Sequence, residues 1–150
     1  MRLKVPPVIV FIICLALMFA IYSISKELSF QFPFRTTLSR IFLAMGFLSG
    51  LMGIISFRTM GTTVDPTNPQ KATSLVTRGV YQYSRNPMYL GMAFILMGGA
   101  IRIGNPICLL SITLFVWYMT TYQIKPEEEA LTKIFGQEYE EYTKRVRRWI

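Results

Sequence analysis

Histidine is absent from this chain, and cysteine occurs only twice, at Cys14 and Cys108. The first absence excludes histidine-ligated metal sites and any serine–histidine or cysteine–histidine nucleophile. Both cysteines fall inside apolar segments, so no disulfide framework is indicated and they read as small buried hydrophobes. Acidic residues are also few, 8 against 16 Lys and Arg, which leaves a formal charge of +8. Charge of either sign is missing from four intervals, Val5–Ser25 (21 residues), Ile41–Phe57 (17), Asn86–Ile101 (16) and Ile103–Ile124 (22).

A membrane-spanning helix needs roughly 17–25 mostly apolar residues. The first and last intervals meet this easily, the second is marginal and the third slightly short. A soluble domain would interrupt such runs with polar faces. The expected fold is therefore all-α and integral to a membrane, in a single domain over 1–150. It has about four transmembrane helices, the last two forming a hairpin, and a C-terminal amphipathic cytoplasmic helix. Met1–Ser25 has the basic start and apolar run of a secretory signal, but Ser23-Ile-Ser25 is a poor cleavage site, so an uncleaved first helix is expected.

The basic residues predict the orientation. Four crossings put the N-terminus, the Arg58–Arg85 segment and the C-terminal tail on one side, with twelve Lys and Arg against four (Lys26, Arg35, Arg40, Arg102) on the other. The positive-inside rule then makes both termini cytoplasmic. Attraction to anionic lipid headgroups accounts for the net charge, and no interleaving of basic and aromatic residues points to nucleic acid. A transporter is disfavoured because no charged residue lies within the predicted spans.

Along the chain, Pro6-Pro7 suits the first turn of the first helix, and Phe30, Phe32 and Phe34 form an interfacial aromatic cluster at its exit. Gly46-Phe-Leu-Ser-Gly50, continued by Gly53, is a small-residue pattern for close helix approach. Turn signals at Gly61-Thr-Thr, Asp65-Pro66 and Asn68-Pro69 predict irregular chain, followed by an ordered approach over Ser74–Tyr83 with a bend at Gly79. Pro87 opens the third helix. Gly91, Gly98 and Gly99 fall on nearly one face of it, either a packing seam or the wall of a ligand cleft. Gly104-Asn105-Pro106 turns the chain, and Arg102 snorkels to the far interface. Leu131, Ile134, Phe135, Tyr139 and Tyr142 repeat with helical spacing over Glu127–Arg148, with Gly136 as a weak point or bend.

The hairpin brings Arg85 and Asn86, at the entrance to the third helix, to the same side as Glu127 and Glu128, which follow the fourth. A guanidinium, an amide and two carboxylates at a membrane surface can hold a small zwitterion, the guanidinium on its carboxylate and the carboxylates on its ammonium or on ribose hydroxyls. The spacing is equally compatible with an Arg85–glutamate pair that only orients the hairpin, or with Arg85 on a lipid phosphate.

Val76-Thr-Arg-Gly-Val-Tyr-Gln-Tyr-Ser-Arg-Asn-Pro-Met-Tyr-Leu-Gly91 resembles a signature of the membrane methyltransferase superfamily that includes isoprenylcysteine carboxyl methyltransferases and phospholipid N-methyltransferases. Glu127-Glu128-Glu129-Ala-Leu-Thr-Lys-Ile-Phe-Gly-Gln-Glu-Tyr-Glu-Glu-Tyr142 looks like that family's second block. The resemblance covers about 58–150. It implies an S-adenosylmethionine-dependent enzyme acting on a lipid-like or isoprenylated acceptor, with a phospholipid amine or a small hydrophobic thiol as alternatives and a non-catalytic membrane scaffold as the contrasting class. It implies cofactor contacts at Val76, Gly79, Tyr81, Asn86, Tyr89, Gly91, Glu127 and Glu128, and catalytic roles for Arg85 and Glu128. No metal is implied. Asn86 stands where the isoprenylcysteine enzymes have histidine and matches the Asn-Pro-Met-Tyr of phospholipid methyltransferases, so the acceptor stays open between the branches.

Overall fold

The computed structural model describes residues 5–59 and 74–150, and the expected irregular turns at Gly61–Pro69 lie outside them. Six α-helices occur among the described residues: α1 Pro7–Ile24, α2 Arg35–Thr59, α3 Pro87–Ile103, α4 Leu109–Tyr118, α5 Lys125–Phe135 and α6 Gln137–Arg145. Pro7 and Pro87 each open a helix, where a missing N–H costs nothing. By length and apolar composition α1, α2 and the continuous helical stretch Pro106–Phe135 are sufficient to cross a membrane, and α3, at 17 residues, is slightly shorter. Because α3 lies antiparallel along α2, from Met88 beside Gly53 to Gly98 beside Ser39, it traverses the same thickness.

The α2–α3 seam is made by missing side chains. A Cβ on Gly91 would sit 2.6 Å from the Gly46 carbonyl oxygen, and one on Gly46 would meet Gly91 and Ile95 as closely. Ser39 Oγ donates to the Gly98 carbonyl at 2.8 Å, and Ser49 Oγ donates to that of Pro87 at 2.7 Å. Gly46 and Gly53 of the small-residue pattern thus serve contacts within the chain. The face expected to hold Gly91, Gly98 and Gly99 together is divided, because Gly99 is turned toward Met18 of α1.

α1 packs against α4 as an antiparallel partner. Phe11 meets Phe115 edge-on at 6.4 Å, while the Cys108 thiol near the other end reaches the Met18 carbonyl. Buried Met18, Leu96, Cys108, Phe115, Met119 and Ile124 form the common core. Gly104, in the left-handed region at φ 73°, closes α3, and Asn105 ties the hairpin tip to the end of α1 by donating to the Ser25 carbonyl at 2.7 Å. The expected hairpin is present.

The amphipathic region differs from the single helix expected over Glu127–Arg148. The fourth helix, which the sequence predicts to end near Trp117, Tyr118 and Tyr122, instead continues from α4 through one π-helical segment, Met119–Ile124, directly into α5. Pro126 has no N–H and would break an α-helical ladder, and a wider π turn immediately before it absorbs the mismatch. The break falls instead at Gly136, whose φ of 50° and ψ of −123° favour glycine. α6 then folds back, and Tyr139, Tyr142 and Val146 pack with Leu75, Leu131 and Phe135.

Candidate functional site

The site lies where the start of α3, the start of α5 and the chain beyond α6 converge. Gly79 takes φ 63° to begin a short 3-10 turn, Gly79–Gln82, that delivers the chain to α3. Val76 and Tyr81 are buried in this approach, Tyr81 edge-on to Phe57 at 5.4 Å. The Tyr142 hydroxyl donates to the Tyr81 carbonyl at 2.7 Å and fastens α6 over the segment.

Glu128 is the hub. Its Oε1 accepts from Arg85 Nη2 at 2.9 Å and from Arg148 Nε at 3.0 Å, and its Oε2 accepts from Arg148 Nη2 at 2.7 Å. The side chains of Arg85 and Glu128 are only 11% and 17% exposed, so this is a partly desolvated pair reinforced by a bidentate guanidinium. The Arg148 charge is further favoured by its hydrogen bond to Glu128. Arg85 Nε is buried without a hydrogen-bond partner among the described residues. A buried, charged N–H of this kind calls for an acceptor.

Glu127, one residue away, faces a different set. Tyr89, buried in the first turn of α3, donates its hydroxyl to Glu127 Oε1 at 2.9 Å, and the buried amide of Gln123 donates to the same oxygen. Gln123 belongs to the π segment, which turns it toward the carboxylate one helical turn on. On α6, burial, with some help from Glu128, pushes the Tyr139 phenol up to about 12. Burial also raises Tyr81 and Tyr142 above the ordinary tyrosine range, so all three are neutral donors at physiological pH.

Asn86 occupies the residue before α3 but does not cap that helix with its side chain. Its amide instead donates to the Arg148 carbonyl at 2.9 Å, while the Arg85 backbone N–H donates to the Arg147 carbonyl at 3.0 Å. Trp149 Nε1 completes the strap by donating to Thr120 Oγ1 at 3.1 Å. Gly91 is placed in the α2 seam, where its small size serves Gly46.

Arg85, Asn86 and Glu128 therefore share one hydrogen-bonded set with Arg148, Tyr89 and Glu127 share a second with Gln123, the two adjoin through the Glu127–Glu128 backbone, and Val76, Gly79 and Tyr81 lie in the segment leading to them. Sequence reasoning missed Gln123, Arg148 and the tail backbone. Gln123 carried a signal, as a buried amide in an otherwise apolar run, one turn before a carboxylate.

The family model for phospholipid methyltransferase matches residues 34–138. Protein-S-isoprenylcysteine O-methyltransferase of Homo sapiens is 42% identical over 73 residues, covering 49% of this chain and 26% of that protein. Its counterpart in Xenopus laevis is 40% identical over 73 residues, 49% of this chain and 25% of the relative. That of Schizosaccharomyces pombe is 38% identical over 72 residues, 48% of this chain and 30% of the relative. The chain also superposes on the solved structure of a eukaryotic intramembrane Ras methyltransferase, isoprenylcysteine carboxyl methyltransferase, with TM-score 0.65 and 27% identity, over 99% of this chain and 53% of that one. The chain thus spans about half of that protein, and its matched segment a smaller part of the curated relatives. The likeness of fold and the apolar helices identify an integral membrane protein.

Proposed function

Because the chain belongs to the phospholipid methyltransferase family, we propose that it is an S-adenosylmethionine-dependent membrane methyltransferase acting on a lipid-like acceptor, foremost an isoprenylated cysteine carboxylate. The acceptor class follows the relatives, which are named for that reaction. The cofactor reading rests on one observation, the buried Arg85 Nε that has no hydrogen-bond partner among the described residues, on a guanidinium whose Nη2 is held by Glu128, the chain neighbour of Glu127. A guanidinium N–H and a carboxylate at one helix junction fit the carboxylate and ammonium of an amino-acid end.

When bound, S-adenosylmethionine supplies a methyl group on a sulfonium, ready for direct displacement. Arg85 offers Nε to a carboxylate while its Nη2 is held by Glu128. Glu127, oriented by Tyr89 and Gln123, accepts from an ammonium or from ribose hydroxyls. Val76, Gly79 and Tyr81 form the adjoining wall, and Asn86 holds the tail against the site. The residues contribute chiefly alignment and exclusion of water. A carboxylate acceptor needs no base. An amine or thiol must lose a proton, and Glu127 is better placed to take it than Glu128, whose two oxygens are engaged by guanidiniums. The site faces the cytoplasm and both termini are cytoplasmic, on the strength of the basic-residue asymmetry. The acceptor enters from the bilayer.

Purified protein supplied with methyl-labelled S-adenosylmethionine is offered a soluble S-prenylcysteine, phosphatidylethanolamine and an alkyl thiol in turn. Label in a base-labile ester of the prenylcysteine supports the assignment. Label only in the amine lipid or the thiol overturns the acceptor and keeps the chemistry. Cofactor binding with no transfer to any of the three leaves a scaffold.

A further inference from the structure

At the end of the α2–α3 pair opposite Arg85 and Glu128, a cavity of about 300 Å³ opens between the first turns of α2 and the last turn of α3. Arg40 and Arg102 line it together with Thr36, and Ser39, Leu43 and Gly98 lie along the same groove. The volume is that of a small-ligand site. Its lower part is built firmly, since Ser39 is buried with its hydroxyl donated to the Gly98 carbonyl and Leu43 lies one turn further along α2.

Among the described residues the two guanidiniums have no counter-charge in contact. Neither Arg40 nor Arg102 forms an ion pair among the described residues, where both salt bridges converge on Glu128 at the other end of the molecule. Outside α5 and α6 the one described carboxylate is Glu27, in the turn Lys26–Leu28, and it makes no ion pair there either. Arg40 sits five residues inside α2, about 7 Å along the axis, and it is exposed near that end of the helix, as Arg102 is near the end of α3, so both guanidiniums are open to an anion. Thr36 adds a hydroxyl donor, and the start of α2 presents the positive end of its dipole to the same space.

We propose that this cavity binds the phosphate of a membrane glycerophospholipid. The phosphate oxygens accept from Arg40, Arg102 and Thr36, and the chain region of the lipid lies over Leu43. Such a lipid is distinct from a methyl acceptor. The 17 residues of α3 put about 25 Å between its two ends, so a headgroup held here cannot reach the Arg85–Glu127 network. Its role is to bridge α2 and α3 beyond the Ser39–Gly98 contact at this end of their seam. This assignment does not depend on methyl transfer.

Delipidated protein in neutral detergent is examined by native mass spectrometry with dioleoylphosphatidylglycerol, with dioleoylphosphatidylcholine, and with inorganic phosphate. The expected result is one retained phospholipid per wild-type chain, with affinity lowered about tenfold in the Arg40→Gln/Arg102→Gln variant. Lys26→Gln, which removes a cation from the same side but not from the cavity, is expected to bind as wild type. Arg102→Lys retains the charge without the planar fork and is expected to fall between, which keeps a test in hand if the double variant does not fold. No lipid retained by wild type, or equal retention by both arginine variants, overturns the proposal. Inorganic phosphate displacing the lipid at millimolar concentration overturns the lipid as the source and leaves a free-phosphate site.

Discussion

Asn86 donates its side-chain amide to the backbone carbonyl of Arg148 across 62 residues of sequence, at 2.9 Å. The residue that precedes α3 thereby holds the end of the chain in place, and with it the guanidinium that grips Glu128 from the other side. The Arg85–Glu128 ion-pair network and the C-terminal strap are one structure. What Asn86 needs for this is a single N–H, which a histidine ring also provides.

Asn86→Ala is accordingly expected to free residues 146–150, seen as faster amide exchange there, and to weaken S-adenosylmethionine binding by about fivefold, the worth of one hydrogen bond of about 1 kcal/mol. Asn86→His keeps a donor and is expected to keep most of the protection. Equal exchange in wild type and Asn86→Ala would show that the bond does not anchor the tail.

Removing the hub charge is expected to cost more. Glu128→Gln leaves Arg85 facing no carboxylate in a site that is largely closed to water. The loss is about 2–3 kcal/mol, below the value for a fully buried pair because some solvent reaches it. Arg148→Gln is expected to cost less, since the Arg85–Glu128 contact survives. Thermal unfolding in detergent ranks the two.

The helix seam makes a prediction independent of chemistry. Gly91→Ala places a Cβ 2.6 Å from a backbone oxygen that cannot give way, and is expected to destabilise by about 1–3 kcal/mol. At Gly50 a Cβ meets nothing within 4 Å, so Gly50→Ala is expected to be neutral or to stabilise by about 0.5–1 kcal/mol through helix propensity. Unfolding midpoints of the two variants should move in opposite directions or differ by that sum.

The α6 tyrosines set an alkaline limit. Tyr139 titrates near 10 when unfolded and about 12 when folded, and Tyr142 is shifted the same way. The folded state therefore favours the neutral phenols. Their stabilisation is complete below pH 10 and is lost as pH rises through the window from 10 to about 12. Phenolate absorbance and helix content followed together should show α6 tyrosines ionising late and the C-terminal helices loosening as they do. Ionisation of all eight tyrosines near pH 10 would contradict their burial.

How far the sequence disclosed this architecture varies with the kind of signal. Arg85, Glu127 and Glu128 were legible because charge next to a long apolar run is conspicuous, and a hairpin must return its two ends to one side. The bend at Gly79 and the break at Gly136 were legible because glycine marks both. The uninterrupted passage from α4 to α5 was not, since Pro126 reads as a stop and only the π segment before it makes the passage possible. Gly98 and Gly99 look equivalent in sequence, yet one step along a helix turns about 100°, enough to send one to α2 and the other to α1. Arg148 was indistinguishable from Arg145 and Arg147. It lies beyond α6, where no periodicity operates, and its role follows from a backbone course set by Asn86 and Trp149.

S-adenosylmethionine binding to the purified protein in nanodiscs, compared between wild type and Glu127→Gln, decides whether the Glu127 carboxylate holds the cofactor. Glutamine keeps an oxygen for Tyr89 and Gln123 but removes the charge that an ammonium requires. Wild type is expected to give saturable one-site calorimetric binding, and the variant to bind at least about tenfold more weakly at an unchanged unfolding temperature. A well-folded wild type that binds no S-adenosylmethionine, or a variant that binds it as tightly, would contradict that role.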